Sequence, residues 1–297
     1  MGDTYYALSG VKNPPVMKSL DLQNWIYLGD MLHEDYKGEP GIPREEDISC
    51  ANMFQIGNKW MLLCISHRLG CRYFLGDFIN ERYMPSSHQM MNWVNTDWEN
   101  GHNGLIYFAP ESMLAADGRR IMWAWVMGNI KPSAVQALPR ELELPEDGIL
   151  RIKPIRELEK LRYAEIKKNN ITVTKKEGLN LEEIRGDALE LRINFGSDLP
   201  EEFGLSLYDE NLIIKFGSDK ESLSIGSINP PFKLNNNEEF VLRIFIDKNL
   251  IEVFANDRQA AVVSSSKIYK NPNIRVFTKD YELKIKEIRS WKMKTIY

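Results

Sequence analysis

Cysteine and histidine are scarce in this 297-residue sequence, with three of the first and four of the second. Cys50, Cys64 and Cys71 have no Cys-x-x-Cys spacing and no histidine pair at ligand distance. That excludes a zinc site and a disulfide framework, leaves three free, buried thiols as the expectation, and implies no metal or organic cofactor. Long apolar runs are absent too. None approaches the roughly 20 residues that a helix needs to cross a bilayer, so no membrane partner is expected. Basic blocks interleaved with aromatics are missing and the formal charge is −4, which removes the electrostatic driving term for nucleic acid. Met1-Gly2-Asp3 opens without the basic and apolar segments of a secretory signal. Cytoplasmic is therefore the default location, and secreted or periplasmic the alternative if the true N-terminus lies upstream.

What the sequence does have is a succession of short β-type runs. Before about Leu150 these are Thr4 to Leu8, Trp25 to Leu28, Trp60 to Ile65, Arg72 to Leu75, Leu105 to Phe108 and Arg120 to Val126. Between them stand Asn13-Pro14-Pro15, Ile56-Gly57-Asn58-Lys59 and Asp117-Gly118-Arg119, which is hairpin turn chemistry. No helical period of ordinary length interrupts them, so the chain reads as all-β: a sandwich, barrel or propeller. Pro154 to Arg162 places Ile155, Leu158 and Leu161 among charges and predicts a short amphipathic helix as a linker over 151–162. Beyond it, Leu189, Leu191, Ile193 and Phe195 alternate with Glu190, Arg192 and Asn194, the pattern of a strand buried on one side. Leu242 to Ile246 and Leu250 to Phe254 flank Asp247-Lys248-Asn249 as a hairpin. With runs at Phe203, Leu212, Ala261, Ile274 and Tyr281, residues 163–297 are expected to form a jelly-roll or lectin-like sandwich.

Chemistry is concentrated in the first half. Arg44-Glu45-Glu46-Asp47 precedes the apparent strand Ile48 to Phe54. A carboxylate at a strand edge beside an arginine can be held in a defined protonation state, but an acidic run before a strand reads equally as a solvated loop. Trp60, Trp93, Trp98, Trp123 and Trp125 fit sugar-stacking surfaces and also fit a β core. His67 and His88 have no second histidine at ligand spacing and read as ordinary polar positions.

One resemblance narrows these alternatives. Asp47 to Phe54, Gly57 to Leu63, Tyr73-Phe74-Leu75-Gly76, Tyr107 to Ser112 and Gly118 to Trp125 resemble, in order, segments of glycoside hydrolase family 32, which contains invertases, levanases, inulinases and sucrose-6-phosphate hydrolases. Leu242 to Asp247 and Ile251 to Asp257 are similar to the family's C-terminal sandwich signature. The resemblance implies part of a five-bladed β-propeller over 1–150, a linker helix over 151–162 and a β-sandwich over 163–297. It also implies a retaining mechanism on the fructosyl linkages of sucrose, levan or inulin.

The departures are specific. The family's Trp-x-Asn-Asp-Pro nucleophile motif and its Arg-Asp-Pro motif do not occur, and Gly2 to Leu8 resembles the strand that follows Arg-Asp-Pro. The expectation is that roughly two blades lie outside this polypeptide. The open face would then be covered by self-association or by an N-terminal fragment. Ser49-Cys50-Ala51 stands where the family has Glu-Cys-Pro. A hydroxyl cannot replace a tuned carboxylic acid. Asp47, two residues back on the same side of an extended strand, is the candidate acid/base, with Glu46 as fallback. Ser49, Glu111 and Trp125 are candidate substrate-binding residues, Trp125 being preferred over Trp123 for the sugar face. The alternative is a catalytically inactive or split relative that serves as a carbohydrate-binding or structural module. A lectin-like role for the sandwich is weaker, since Phe216, Phe232 and Trp291 form no platform pattern.

Overall fold

A computed structural model describes residues 2–10, 12–94, 105–128, 134–217, 221–265 and 269–295. Trp98 lies outside the described residues. Apart from one 3-10 helix over Arg156–Leu161, every regular element among the described residues is a β-strand. No helix there is long and apolar enough to cross a membrane. The chain forms two compact units, one from Met1–Asn92, Tyr107–Trp125 and Leu142–Leu150, the other from Trp93–Ile106, Val126–Glu141 and Arg151–Tyr297. In the 151–162 segment the structure places a strand, Arg151–Pro154, ahead of the 3-10 helix. Leu158 is the residue buried in that helix.

The first unit is a series of antiparallel meanders. Tyr5–Leu8, Pro15–Ser19 and Ile26–Asp30 make a three-stranded sheet. Ser49–Ile56, Lys59–Ser66, Gly70–Ile79 and Arg82–Met90 make a four-stranded one, each strand hairpinned to the next. Sequential four-stranded meanders are the repeating element of propeller blades. Lys59–Ser66 is its most apolar strand, buried from Met61 to Ser66, as a central strand covered on both faces must be. Gly76 has a steric reason in the next strand: a Cβ there would lie 2.2 Å from the Met84 carbonyl oxygen. A further hairpin joins Leu105–Leu114 to Arg120–Gly128, closed by a turn in which Gly118 adopts φ +85° and donates to the Ala115 carbonyl at 2.9 Å.

Several strands escaped the sequence reading, the 13-residue Arg162–Thr174 among them, and two in the first unit show why. Pro15–Ser19 opens on a proline, and Arg82–Met90 carries Ser86, Ser87, His88 and Gln89 in place of β-branched residues. Both are held by pairing with well-marked neighbours, so propensity yields to register.

The second unit is a sandwich. A seven-stranded sheet runs in the order Trp93–Val94, Gln259–Ser264, Leu250–Ala255, Val241–Asp247, Ala188–Asn194, Glu282–Met293, Arg162–Thr174. A five-stranded sheet has the order Leu179–Asn180, Arg275–Thr278, Glu202–Leu207, Leu212–Gly217, Leu223–Ile225. Leu189, Leu191, Ile193 and Phe195 enter one core with Phe203, Leu205, Ile214 and Phe216. The alternating pattern had placed Glu190 on a wet face, yet Glu190 is fully buried. Arg162 and Arg243 both grip its carboxylate. Phe216, Phe232 and Trp291 are buried as well, so they offer no sugar platform.

Candidate functional site

The acidic run separates into residues of different character. Glu45 is exposed. Glu46 is buried and accepts from Ser66 Oγ and, at 3.0 Å, from Arg68 Nε. Burial pushes its carboxyl up, but the Arg68 and Ser66 hydrogen bonds outweigh that and hold it below the usual carboxylate range. Both Glu46 oxygens are thus committed, one to Ser66 and one to Arg68.

Asp47 is differently placed. Its Oδ1 accepts from Ser49 Oγ at 2.7 Å, and its Oδ2 accepts from the His67 backbone N–H at 3.0 Å. The His67 ring Nδ1 meets the same Oδ2. Burial raises the Asp47 carboxyl, and the hydrogen bonds from Ser49 and His67 reverse the shift, so it stays ionised below the ordinary range. Arg72, completely buried with its guanidinium 4.9 Å from the Phe74 ring centre, donates to the backbone carbonyls of Glu46, at 3.4 Å, and Asp47. It fixes the backbone that carries both acids.

The strand that follows is bulged. Register shifts between Ser49 and Asn52, and Cys50 takes φ +51°, a left-handed conformation that costs a non-glycine residue energy. The bulge turns Cys50 outward: it is exposed, unlike the buried Cys64 and Cys71, and this corrects the expectation of three buried thiols. Its thiol is pushed up by partial burial and by the carboxylates of Glu111 and Asp47. Iodoacetamide at mildly alkaline pH should therefore modify one thiol of the native chain, more slowly than free cysteine, and peptide mapping should find it at Cys50. Modification of Cys64 or Cys71 at a comparable rate would contradict the placement.

Asn52 ties the bulged strand to the neighbouring hairpin. Its amide donates to Glu111 Oε2 at 3.1 Å, while its carbonyl accepts from the Ser112 backbone at 2.9 Å. Glu111 is exposed and thus available to a ligand. Phe108 of the same hairpin strand meets the His67 ring edge to face, with centres 5.6 Å apart. Ser49, Asp47 and Glu111 are accordingly gathered with Phe108, Asn52 and His67, none of which the sequence reading had given a site role, His67 having been read as an ordinary polar position. Trp125 is 40% exposed but makes no hydrogen bond or ring contact with this group among the described residues. Trp123 and Trp125 sit two apart on one strand and so share its more open face. Exposure, not direction, distinguishes them. His88 is half-buried against Phe74, and burial together with Arg72 pushes its ring down to about 4, so it is a neutral packing residue.

A cavity of about 400 Å³ in this unit is lined by Thr4, Tyr5, Tyr6, Leu8, Ala51, Met53 and Trp60. Among the described residues no cluster of His, Cys, Asp or Glu has the arrangement of a metal site.

Residues 3–154 match the glycosyl hydrolases family 32 N-terminal domain and residues 157–292 the glycosyl hydrolases family 32 C-terminal domain. Raffinose invertase of Escherichia coli is 30% identical over 255 residues, covering 76% of this chain and 50% of that protein. Sucrose-6-phosphate hydrolase of the same organism is 26% identical, covering 92% and 60%. The structure of sucrose-6-phosphate hydrolase from Lactobacillus gasseri superposes with a TM-score of 0.74 at 21% identity, over 100% of this chain and 65% of that one. Exo-inulinase from Aspergillus awamori gives 0.76 at 13% identity, over 100% and 66%. The chain spans half to three fifths of the length of these two Escherichia coli relatives. With both domain matches in sequence order across nearly its whole length, the chain belongs to glycosyl hydrolase family 32.

Proposed function

We propose that this chain forms the proton-handling side and the sandwich of a hydrolase of fructosyl linkages of the sucrose, levan or inulin type. Asp47 is its working carboxylate and Ser49, Glu111 and Trp125 bind sugar. The observation that carries the reading is the grouping of Asp47, Ser49, His67 and Glu111 at the bulge where the family pattern has its acid/base motif. Retaining cleavage needs a second carboxylate as nucleophile. The two motifs that supply such groups in the family are absent from these residues, so residues beyond these 297 have to contribute them.

The three-stranded sheet at the start of the chain offers those residues a landing surface. Leu20 and Tyr27 are 75% and 69% exposed, beside the exposed Leu22, Trp25 and Ile26. Apolar surface of this kind marks an interaction site. In this reading an N-terminal segment with those motifs covers the surface and completes the site, whereas a second copy, which lacks them, would cover it without completing the site.

The test is turnover of sucrose, levan and inulin by the chain alone and with an added fragment bearing Trp-x-Asn-Asp-Pro and Arg-Asp-Pro motifs. Silence alone and fructose release with the fragment are expected. Silence in both supports the other reading, a sugar-binding or structural relative that does not turn over, which Ser49 in place of a carboxylic acid favours.

A further inference from the structure

We propose that Asp47 and His67 act as one carboxylate–imidazole pair, and that the outward-facing Nε2 of His67 is the atom that exchanges a proton with the bound sugar. The proposal rests on the fructoside reading for the identity of the sugar, though the pair itself stands on geometry.

The geometry fixes the ring's chemistry. Asp47 is an acceptor only, because Ser49 and the His67 backbone stabilise its ionised form. A ring nitrogen in contact with a carboxylate oxygen must therefore be the one that bears hydrogen, so Nδ1 is protonated and donates to Asp47 Oδ2. The neutral ring then has its lone pair on Nε2. The His67 side chain is 72% exposed whereas that of Asp47 is 16% exposed. Phe108 packs against the ring at an interplanar angle of 72° and limits its rotation. The result is an imidazole with one nitrogen anchored on a fixed carboxylate and the other open, the arrangement by which a carboxylate sets tautomer and direction in histidine general acids and bases.

The charged surroundings favour this role. Asp47 faces the ring from the segment before the bulged strand, and the Cys50 thiol lies near both Asp47 and Glu111. Behind the pair, Arg68 is already matched by Glu46, and Arg72 donates to backbone carbonyls. The imidazolium form thus gains Asp47 as a countercharge. That form meets the need left by Ser49, which cannot serve as an acid. In fructoside cleavage the Nε2–H bond breaks and its proton passes to the glycosidic oxygen. The C2–O bond pair leaves with that oxygen as the C2 carbon is taken by a carboxylate nucleophile from outside these 297 residues. The ring ends neutral, with a lone pair on Nε2 ready to accept a proton from the incoming water.

The experiment uses the intact 297-residue chain labelled with ¹⁵N. Long-range proton–nitrogen spectra at about pH 8, where an ordinary imidazole is neutral, report which nitrogen carries hydrogen, and His67→Gln identifies the resonance among the four histidines. We expect the Nδ1–H form in the native chain and a mixture of tautomers in Asp47→Asn, with the amides of the second unit unmoved as the check on folding. Titration with D-fructose should shift Nε2, and His67→Gln should weaken binding about fivefold, the effect of one hydrogen bond. An Nε2–H form in the native chain, or a ring unchanged by Asp47→Asn, overturns the pair. D-fructose that moves other amides of the first unit but not the His67 ring overturns the sugar contact. D-fructose that moves no amide of that unit counts against the fructoside reading instead, while the tautomer still decides the pair.

Discussion

Asp47→Asn in a chain complemented by the missing motifs is expected to abolish fructoside turnover, with a fall in kcat on the order of 10²–10⁴-fold, the usual contribution of an acid/base group, here the His67 imidazole that Asp47 orients. The size follows from how many jobs the carboxylate holds. It accepts from Ser49, from the His67 backbone and from the His67 ring, so an amide in its place loses the countercharge and forces at least one of these contacts to rearrange. Glu46→Gln is the necessary contrast. Its carboxylate is buried on Ser66 and Arg68, so the exchange should cost stability and leave kcat within a few-fold. Initial rates of fructose release, with circular dichroism to verify folding, measure both. Turnover that survives Asp47→Asn but not Glu46→Gln would transfer the role to the fallback acid.

Much of the fold was legible because hairpins announce themselves twice, in their turns and in the apolar runs on either side. Gly57-Asn58 and Lys248-Asn249 both close strands whose residues pair as the pattern requires. The candidate acids were legible only through the family resemblance, since an acidic run before a strand is chemically ambiguous. His67 was passed over because its place depends on the bulge. Counting back from the Gly57-Asn58 turn pairs Asn52 with Leu63 and, unbroken, would set position 47 against position 68; the bulge moves Ser49 onto Ile65, so two steps further out position 47 meets position 67. The bulge itself, and with it the exposure of Cys50, could not be read: Ser-Cys-Ala has no glycine to advertise a left-handed residue. Glu190 failed for another reason. Alternation shows that two faces of a strand differ in polarity, not that the polar face is wet.

That buried carboxylate carries the largest expected effect on stability. Glu190 lies in a row that crosses the seven-stranded sheet: Glu252 opposite Phe245, Phe245 opposite Glu190, and Glu190 opposite Trp291. Two acids alternate with two aromatics on the face turned away from the main core. The Glu252 carboxylate accepts from the Leu138 backbone at 2.8 Å and pairs with the buried Arg140, so the segment around 138–140 lies over this face and excludes water from it. Glu190 is matched by two guanidinium groups: Arg162 at 2.6 and 2.7 Å and Arg243 at 2.8 and 3.2 Å, with Arg162 also stacked 4.1 Å from the Trp291 ring centre. Glu190→Ala leaves two positive charges facing each other without their shared anion. The expected loss is about 3–5 kcal/mol, as for other broken buried pairs, read as a lower urea midpoint for the second unit. Replacing all three with apolar residues of similar size, Glu190→Leu with Arg162→Met and Arg243→Met, should recover most of it, because the charges cost desolvation as well as supplying attraction. If the single exchange is nearly neutral, the cluster is open to water and the face is not closed; if the triple exchange is as damaging as the single one, the strands need these ions to choose their register.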